Sequence, residues 1–508
     1  MSRLSRRDFL RLAALAPAAA AFSKFEHNRL FSNTYGDKTL PSAIILVFDA
    51  MSARNLSLYG YPRRTTPNLE RFAERATVYH AHHSAGNFTT PGVASLLTGM
   101  YPWTHRAINL GGLVARNRVK DNLFHLIGDD HRRLAFSQSN WADSLLNQFH
   151  VDLDIHRSPG AFGVIDGLVG ERFKSDLSAA YRAYDDFLFQ IGYPPGSLAF
   201  GMADRLYLSH RKAGLQTDDY PNGLPYSISY PIYFRIEDIF NGILSLLTTE
   251  PLPCLAYFHM IPPHEPYIAS RRYREMFNDG WSPTPKPRHW LGGKDTNTKL
   301  NRYRRHYDAY IANIDAEFSW FVGELDERGI LDQSYLIITA DHGEMFERGV
   351  RGHSTALLYE PVVHVPLVIS APGQRSRKDI YSPTNHVDIL PALLHLAGRE
   401  IPAWCEGDLL PGLGGQEDGG RVDFAIQAQN NPAFDPLVVV TMVMRRGKYK
   451  MIYYTGYEAE DAYELYDLES DPEELNDLYP AKPSIAVSMG EELLAKLEAV
   501  NRPYEAGG

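Results

Sequence analysis

Unbroken apolar runs, rather than alternating ones, set the rhythm of the first part of the chain. "SAIILVF" at 42–48, "RLAFSQ" at 133–138, "PCLAYF" at 253–258, "SYLIIT" at 334–339 and "PLVISAP" at 366–372 each carry apolar side chains on both faces. That is the pattern of strands covered on both sides. Between them lie segments of helical period, such as "TPNLERFAERA" (66–76) and "YDAYIANIDAEFSWFVGELDERG" (307–329), the second closing at Gly329 as a helix C-terminus does. Strands alternating with helices predict a parallel sheet sandwiched by helices. From about residue 420 the texture changes. "LVVVTMVM" and "KYKMIYYT" flank Arg445-Arg446-Gly447 as a predicted hairpin, and "YELYDL" follows as a third strand. "SDPEEL" then offers Asp471 as a cap, Pro472 at a first helical position and Glu474 three residues after the cap, and a terminal helix is expected over 484–499. The fold class expected is α/β, a large mixed, mostly parallel sheet, with a small C-terminal α+β subdomain carrying an antiparallel sheet. The main domain would span 40–410 and the subdomain 420–505, joined through the glycine-rich "PGLGGQEDGG" at 411–420. Residues 158–250 show too little periodicity to predict elements.

At 508 residues there is room for one large core and an appendage. A net charge of −10, with no dense basic stretch, excludes a general nucleic-acid binder. Two cysteines, Cys254 and Cys405, are too few for a disulfide framework and lack zinc-ligand spacing. The N-terminus has more to say: "SRRDFLRLAALAPAAAAF" sets Arg6-Arg7 before Phe9-Leu10 and a short apolar run. This resembles a bacterial twin-arginine export signal over residues 1–25. The run is shorter than the roughly 20 apolar residues a spanning helix needs. Export machinery is therefore an expected partner, and the periplasm or the extracellular space the expected location, with anchoring the outcome if the signal is not cleaved.

The strand ends carry the chemistry. In open α/β sheets ligands bind beyond the carboxyl ends of the strands, and there Asp49 follows one apolar run, His259 another, and Asp341-His342 a third. A single aspartate after a strand is an ordinary turn former; several chemistry-bearing side chains on one edge call for a site. Asp49, Asp341 and His342 supply two hard oxygens and an imidazole, a set suited to Mn²⁺, Zn²⁺ or Mg²⁺, with Ca²⁺ also accommodated. A hydroxyl would complete the set and, once coordinated, become a nucleophile near neutral pH. "NFTTPGVASLLTG" (87–99) offers one. Thr90, before Pro91, reads as a helix cap, and the Thr89-Thr90 pair sits at a helix N-terminus able to receive an anionic oxygen.

The blocks "FDAMSARNLSLYGYPRRTTPNLERFA", "TTPGVASLLTGMYPWTHRA", "HMIPPHEPY", "ADHGEMFERG", "HVPLVISAPG", "HVDILPALLHLAG" and "ELYDLESDPEELNDL" run in order from about 41 to 480. Together they resemble a sulfatase of the alkaline phosphatase superfamily. The resemblance implies that fold and a metal-dependent hydrolase or transferase with a covalent adduct at the helix start. In sulfatases the reacting residue is a cysteine matured to formylglycine two places before the proline; here that place holds Thr89. The family's arginine two places after the proline is Val93, and the second of its paired aspartates is Ala50.

Threonine cannot become formylglycine, and a sulfated threonine lacks the elimination route that a gem-diol has. A phosphorylated threonine is resolved by in-line attack. Asp49, Thr89, Asp341 and His342 are similar to the set of phosphoethanolamine and phosphoglycerol transferases of the superfamily, which turns the expectation towards phosphate esters or phosphodiesters and a single divalent metal. His264 in "PPHEPY" matches the family's histidine at the ester group, and His353 in "RGHS" falls where the superfamily places another. One would hold the equatorial oxygens and the other protonate the leaving oxygen. His259 and Arg54 are expected to touch substrate, a small-molecule, glycan or lipid ester. The alternatives are a sulfatase using unmodified threonine, a transferase, and a non-catalytic glycan-binding protein. His80, His82 and His83 in "YHAHHSAG" are read as lining a strand or cleft wall, and His386 and Asp388 as packing groups.

Overall fold

A computed structural model describes residues 40–164, 179–180, 183–184, 187, 195–211, 215–227, 232–481 and 483–505. The signal-like segment 1–25 lies outside them, and residues from Pro41 onwards form one compact unit. Its strands are β1 (Ser42–Phe48), β2 (Thr77–Tyr79), β3 (His82–His83), β4 (Arg132–Ser137), β5 (Ile155–Arg157), β6 (Cys254–Met260), β7 (Ser334–Ala340), β8 (Met345–Glu347), β9 (Val350–Gly352), β10 (Leu367–Ser370), β11 (Lys378–Ile380), β12 (Thr384–Asn385), β13 (Val422–Gln427), β14 (Val440–Arg446), β15 (Tyr449–Thr455) and β16 (Ala462–Asp467).

Eight of them form the main sheet in the order β11-β2-β10-β7-β1-β6-β4-β5. β1 pairs in parallel with both β6 and β7, with Phe48 beside Met260 and Ala340. The three strands therefore end together, which delivers Asp49, His259 and Asp341 to one edge. β10 runs antiparallel to β7, so the sheet is mixed, and β2 is antiparallel to β10. Helices cover both faces. Ile44 and Leu46 pack with Phe318 and Phe321 of the helix Asn297–Glu327, while Ile45 and Val47 pack with Val93 and Leu97 of the helix Thr89–Thr98. At about 25 cal/mol per Å² of apolar area removed from water, such two-sided burial is the main stabilising term.

The antiparallel sheet β13-β14-β15-β16 follows, and its Met442 and Met451 share a cluster with Tyr101 and Trp103 and with Met489 and Leu493 of the helix Ser484–Glu505. The hairpin forms, but Arg445 and Arg446 lie within β14, and the turn falls at Gly447 (φ 56°) and Lys448. β13 was not predicted. Two local expectations fail. Residues 471–476 form no helix: Asp471 accepts from Leu475 N and Asn476 N, while the Glu474 carboxylate turns inward to Lys450 Nζ at 2.7 Å. A buried partner has overridden a local capping signal. The helix Thr89–Thr98 begins before its proline with Phe88 as N-cap, so Thr90 lies inside it, and the Thr90 hydroxyl has no partner. Among the described residues no helix is long and apolar enough to cross a membrane.

Candidate active site

Asp49, His259 and Asp341 offer ligand atoms that all lie within 4.8 Å of one another, and each side chain is buried. His259 Nε2 is 3.4 Å from Asp49 Oδ2 and 3.6 Å from Asp341 Oδ2. His342 Nε2 is 3.4 Å from Asp49 Oδ1 and 3.4 Å from Asp341 Oδ2. The sequence pattern set Asp49, Asp341 and His342 together, and the fold does so too. His259, expected at the substrate, faces the two acids from the end of β6 and adds a further candidate ligand. The parallel register of β1 and β6, which pairs Val47 with His259, places it there.

The second atoms of these groups fix their orientation. Asp341 Oδ1 accepts from Ala50 N at 3.1 Å and from His342 N at 2.9 Å, and His342 Nδ1 faces Gly343 O at 2.9 Å. An imidazole whose Nδ1 donates to a carbonyl presents a lone pair on Nε2. Asp49 Oδ1, His259 Nε2, Asp341 Oδ2 and His342 Nε2 are buried without a hydrogen-bond partner. Buried polar atoms are normally paired, so four orphaned ones converging from three chain segments fit a divalent cation of the Mn²⁺, Zn²⁺ or Mg²⁺ type.

The electrostatics agree. Burial raises Asp341, and the neighbouring Asp49 carboxylate raises it further. Burial also opposes ionisation of Asp49, but the charge of His264 and the contacts with His259 and His342 outweigh it and hold Asp49 well below the usual carboxylate range. Burial would lower His342, yet the two acids push it up to about 9. Without a cation, protons bind these acids together.

Beside the cluster the rings of His342 and His353 have centroids 4.1 Å apart, and those of His264 and His353 4.9 Å apart. Both expected histidines are thus gathered at the site. Glu344, which sequence reasoning passed over although it directly follows Asp341-His342-Gly343, is 1% exposed and lies 3.4 Å from His353 Nδ1. Thr89 is 3% exposed in the first turn of its helix. That turn abuts the cluster: a Cβ on Gly92 would sit 2.2 Å from Asp341 O, which also accepts from Ser84 Oγ at 2.6 Å. Arg54 pairs through its guanidinium with Glu473 and lines one cavity with Glu344. His386 packs as expected, with Nε2 on Ala340 O at 2.9 Å, and Asp388 closes a capping box.

A buried acid and imidazole cluster at the carboxyl edge of a mixed sheet, faced by a helix N-terminus, defines a candidate metal-assisted hydrolase centre. The sulfatase family profile matches residues 41–139 and 211–399, more than half of the chain, and the chain belongs to that family of ester hydrolases. A profile for the N-sulphoglucosamine sulphohydrolase C-terminal region matches residues 352–502. The choline-sulfatase of Rhizobium meliloti (strain 1021) is 30% identical over 244 residues, 42% of this chain and 44% of that protein. The chain therefore spans less than half the length of that relative. The multifunctional alkaline phosphatase superfamily protein PehA of Trinickia caryophylli is 23% identical over 473 residues, 82% of this chain and 86% of that one. Among solved structures, the phosphonate monoester hydrolase of Silicibacter pomeroyi superposes with a TM-score of 0.64 at 19% identity, over 91% of this chain and 96% of that one, which shows the fold.

Proposed function

We propose that the protein is an exported, metal-dependent hydrolase that cleaves a phosphate ester or phosphodiester through a phosphothreonine at Thr89. The carrying observation is the set of orphaned atoms on Asp49, His259, Asp341 and His342 beside the helix turn that begins with Thr89. These four residues would hold one divalent cation. When bound, it supplies the positive charge that makes a hydroxyl acidic and neutralises ester oxygens.

Thr89 Oγ attacks phosphorus. The Oγ–P bond forms, the bond from phosphorus to the leaving alcohol breaks, and the alcohol oxygen takes a proton from one of the paired imidazoles, His264 or His353. Water then attacks the phosphothreonine in line, the Oγ–P bond breaks and Thr89 Oγ is reprotonated from that water, giving phosphate from a monoester substrate or a phosphomonoester from a diester. The free N–H groups of the helix first turn favour anionic oxygens at this point. Glu344 beside His353 fixes which way that ring faces.

A sulfuric ester is the second reading, favoured by the choline-sulfatase relationship. Threonine argues against it, since a threonine sulfate must wait for direct attack by water. Metal-loaded protein assayed on aryl phosphate, aryl phosphodiester and aryl sulfate separates the two. The proposal expects a phosphoryl substrate to turn over fastest and Thr89→Ala to lose at least about a thousandfold, the scale of losing a nucleophile. A faster sulfate ester overturns the phosphoryl reading, and an unchanged Thr89→Ala rate overturns the nucleophile.

A further inference from the structure

Residues 266–306 carry ten lysines and arginines against three acids, a surplus of seven positive charges in a chain whose net charge is −10. Scattered among polar and apolar residues, these cations form no dense run in the sequence. The fold gathers them. Residues 270–278 turn back on themselves, with Arg274 N donating to Ser270 O and Asn278 N to Glu275 O. Tyr273 and Phe277, four residues apart, pack into the core cluster beneath the helix Asn297–Glu327, which leaves Arg271, Arg272, Arg274 and Met276 exposed. The first turns of that helix repeat the division: Leu300, Tyr303 and Tyr307 belong to the core side, while Lys299, Arg302 and His306 are exposed. Arg305 Nη1 donates to Asn278 Oδ1 at 3.1 Å and ties the two pieces together. Partial burial, then the charges of Arg305 and Arg302, lower the His306 imidazole; Arg274 adds to them from the turn, and Glu275 opposes.

The acids of this stretch are already engaged. Asp279 pairs with Arg63 at 2.6 Å, Asp295 with Lys299 at 2.6 Å and Glu275 with Arg274 at 3.4 Å. Glu317 feels the charge of Arg272 without forming an ion pair. Among the described residues no carboxylate comes within ion-pairing distance of Arg271, Arg272, Arg302 or Arg305. The result is a ridge of unbalanced guanidinium groups with Met276, 51% exposed, in their midst.

Such a ridge fits an extended anionic surface. A soluble polyanion would neutralise the guanidiniums but has no use for a thioether held out in water, whereas a lipid headgroup layer can take both. The ridge also reaches the rim of the candidate site. Arg302 and Arg351 both lie over the Tyr303 ring, 5.6 and 4.5 Å from its centroid, and Arg351 pairs at 3.0 Å with Glu265, which follows His264.

We propose that this ridge docks the protein on an anionic lipid bilayer, with Met276 entering the headgroup layer and the ester-cleaving edge held beside it. Docking itself does not depend on the catalytic reading; only its use does. The test is sedimentation of the full chain with vesicles of phosphatidylcholine alone and of phosphatidylcholine with phosphatidylglycerol, and with dextran sulfate as a soluble polyanion. Only the vesicles containing phosphatidylglycerol are bound, and binding weakens as salt rises from about 0.1 M, where exposed charges act over about 10 Å. The triple variant Arg271→Ala, Arg272→Ala, Arg302→Ala binds them about a hundredfold more weakly, about fivefold for each cation removed. Its turnover of an aryl phosphate without vesicles is unchanged, which shows that fold and site are intact. Met276→Ser weakens vesicle binding about three- to tenfold and leaves dextran sulfate binding unaltered. Equal vesicle binding by parent and triple variant overturns the ridge as the docking surface. An unaltered Met276→Ser, with the triple variant impaired towards vesicles and dextran sulfate alike, assigns the ridge to a polymeric anion and overturns the lipid surface. Vesicle binding through the ridge with no ester turnover by the parent overturns the catalytic reading alone.

Discussion

Removing the hydroxyl of Tyr307 tests how the Asp49 turn is held. Tyr307 is fully buried in the helix Asn297–Glu327; its OH donates to Ala50 O at 2.6 Å and accepts from Ser52 N at 2.9 Å. Between those contacts Ala50 has φ of 61°, a left-handed conformation that costs a residue with a Cβ roughly 1–2 kcal/mol. Tyr307→Phe leaves a buried carbonyl and a buried N–H without partners, at about 1–3 kcal/mol each. Some of that is recovered when Ala50 relaxes, so the expected net loss is about 2–4 kcal/mol. The relaxing turn also carries the Asp49 carboxylate away from Asp341 and His259, so cation affinity falls together with stability. Urea unfolding and calorimetric titration with Mn²⁺ or Zn²⁺ measure the two. Placing Ala50→Gly beneath Tyr307→Phe is the internal control, because glycine removes the strain and the phenol then has less to restrain. A loss below about 1 kcal/mol with unaltered cation affinity would refute the claim that Tyr307 positions the site.

Three further outcomes follow from charge. Chelation is expected to lower the melting temperature, and Mn²⁺, Zn²⁺ or Mg²⁺ to restore it, since a ligand of the native state at a hundredfold excess over its Kd adds about 2.7 kcal/mol. Asp341→Asn reverses sign with loading: in metal-free protein it relieves the repulsion with Asp49 and raises the melting temperature, whereas in loaded protein it lowers it, and one sign in both states sinks the cluster as a cation site. Asp279, paired with Arg63 at 2.6 Å, is held down to about 2 by that guanidinium. A depressed carboxylate adds stability that is present above its unfolded value and lost as pH falls through the folded one. The stability gap between the parent and Asp279→Asn should therefore be constant above about pH 4 and close by about pH 2, as followed by circular dichroism; a gap that persists at the acid end assigns the effect elsewhere.

The legible parts were those where burial dictates composition. Strands covered on both faces need apolar side chains at every position, so β1, β6 and β7 stand out in the sequence, and the residues that end them follow at once. The helix Asn297–Glu327 is legible only from 307, because its first turns, "NTKLNRYRRH", are mostly charged and carry the apolar face on Leu300 and Tyr303 alone. β2, β3, β11 and β12 are too short for any period to register. His259 shows the harder limit. A histidine at a strand end reads the same whether it meets a substrate or a cluster, and only the register of β1 against β6 decides between them. The SDPEEL segment misled for a related reason: Glu474 has a capping position locally but a buried ammonium globally, and its carboxylate also accepts from Glu360 N at 2.9 Å.

Ligand identity is thus only part of how this site is specified, since the separation between the proposed nucleophile and the acids is set by backbones in contact. Gly92 and Gly343 do this from opposite sides. A Cβ on Gly92 would strike Asp341 O, and one on Gly343 would fall 2.1 Å from Pro361 O. Neither has a positive φ, so neither is needed for its conformation. Both are needed for closeness: the first lets the Thr89 helix settle on the end of β7, and the second lets the chain after His342 pass beneath Pro361, with Gly343 N donating to Val362 O at 2.7 Å. Ser84 Oγ, bonded to the same Asp341 carbonyl, ties the segment that leads into the helix to that strand end. Pro361 follows Glu360, whose carboxylate faces His83 and His364. A substitution in the 360–364 turn should therefore be felt both at His342 and at those two histidines, because one segment of backbone seats all three.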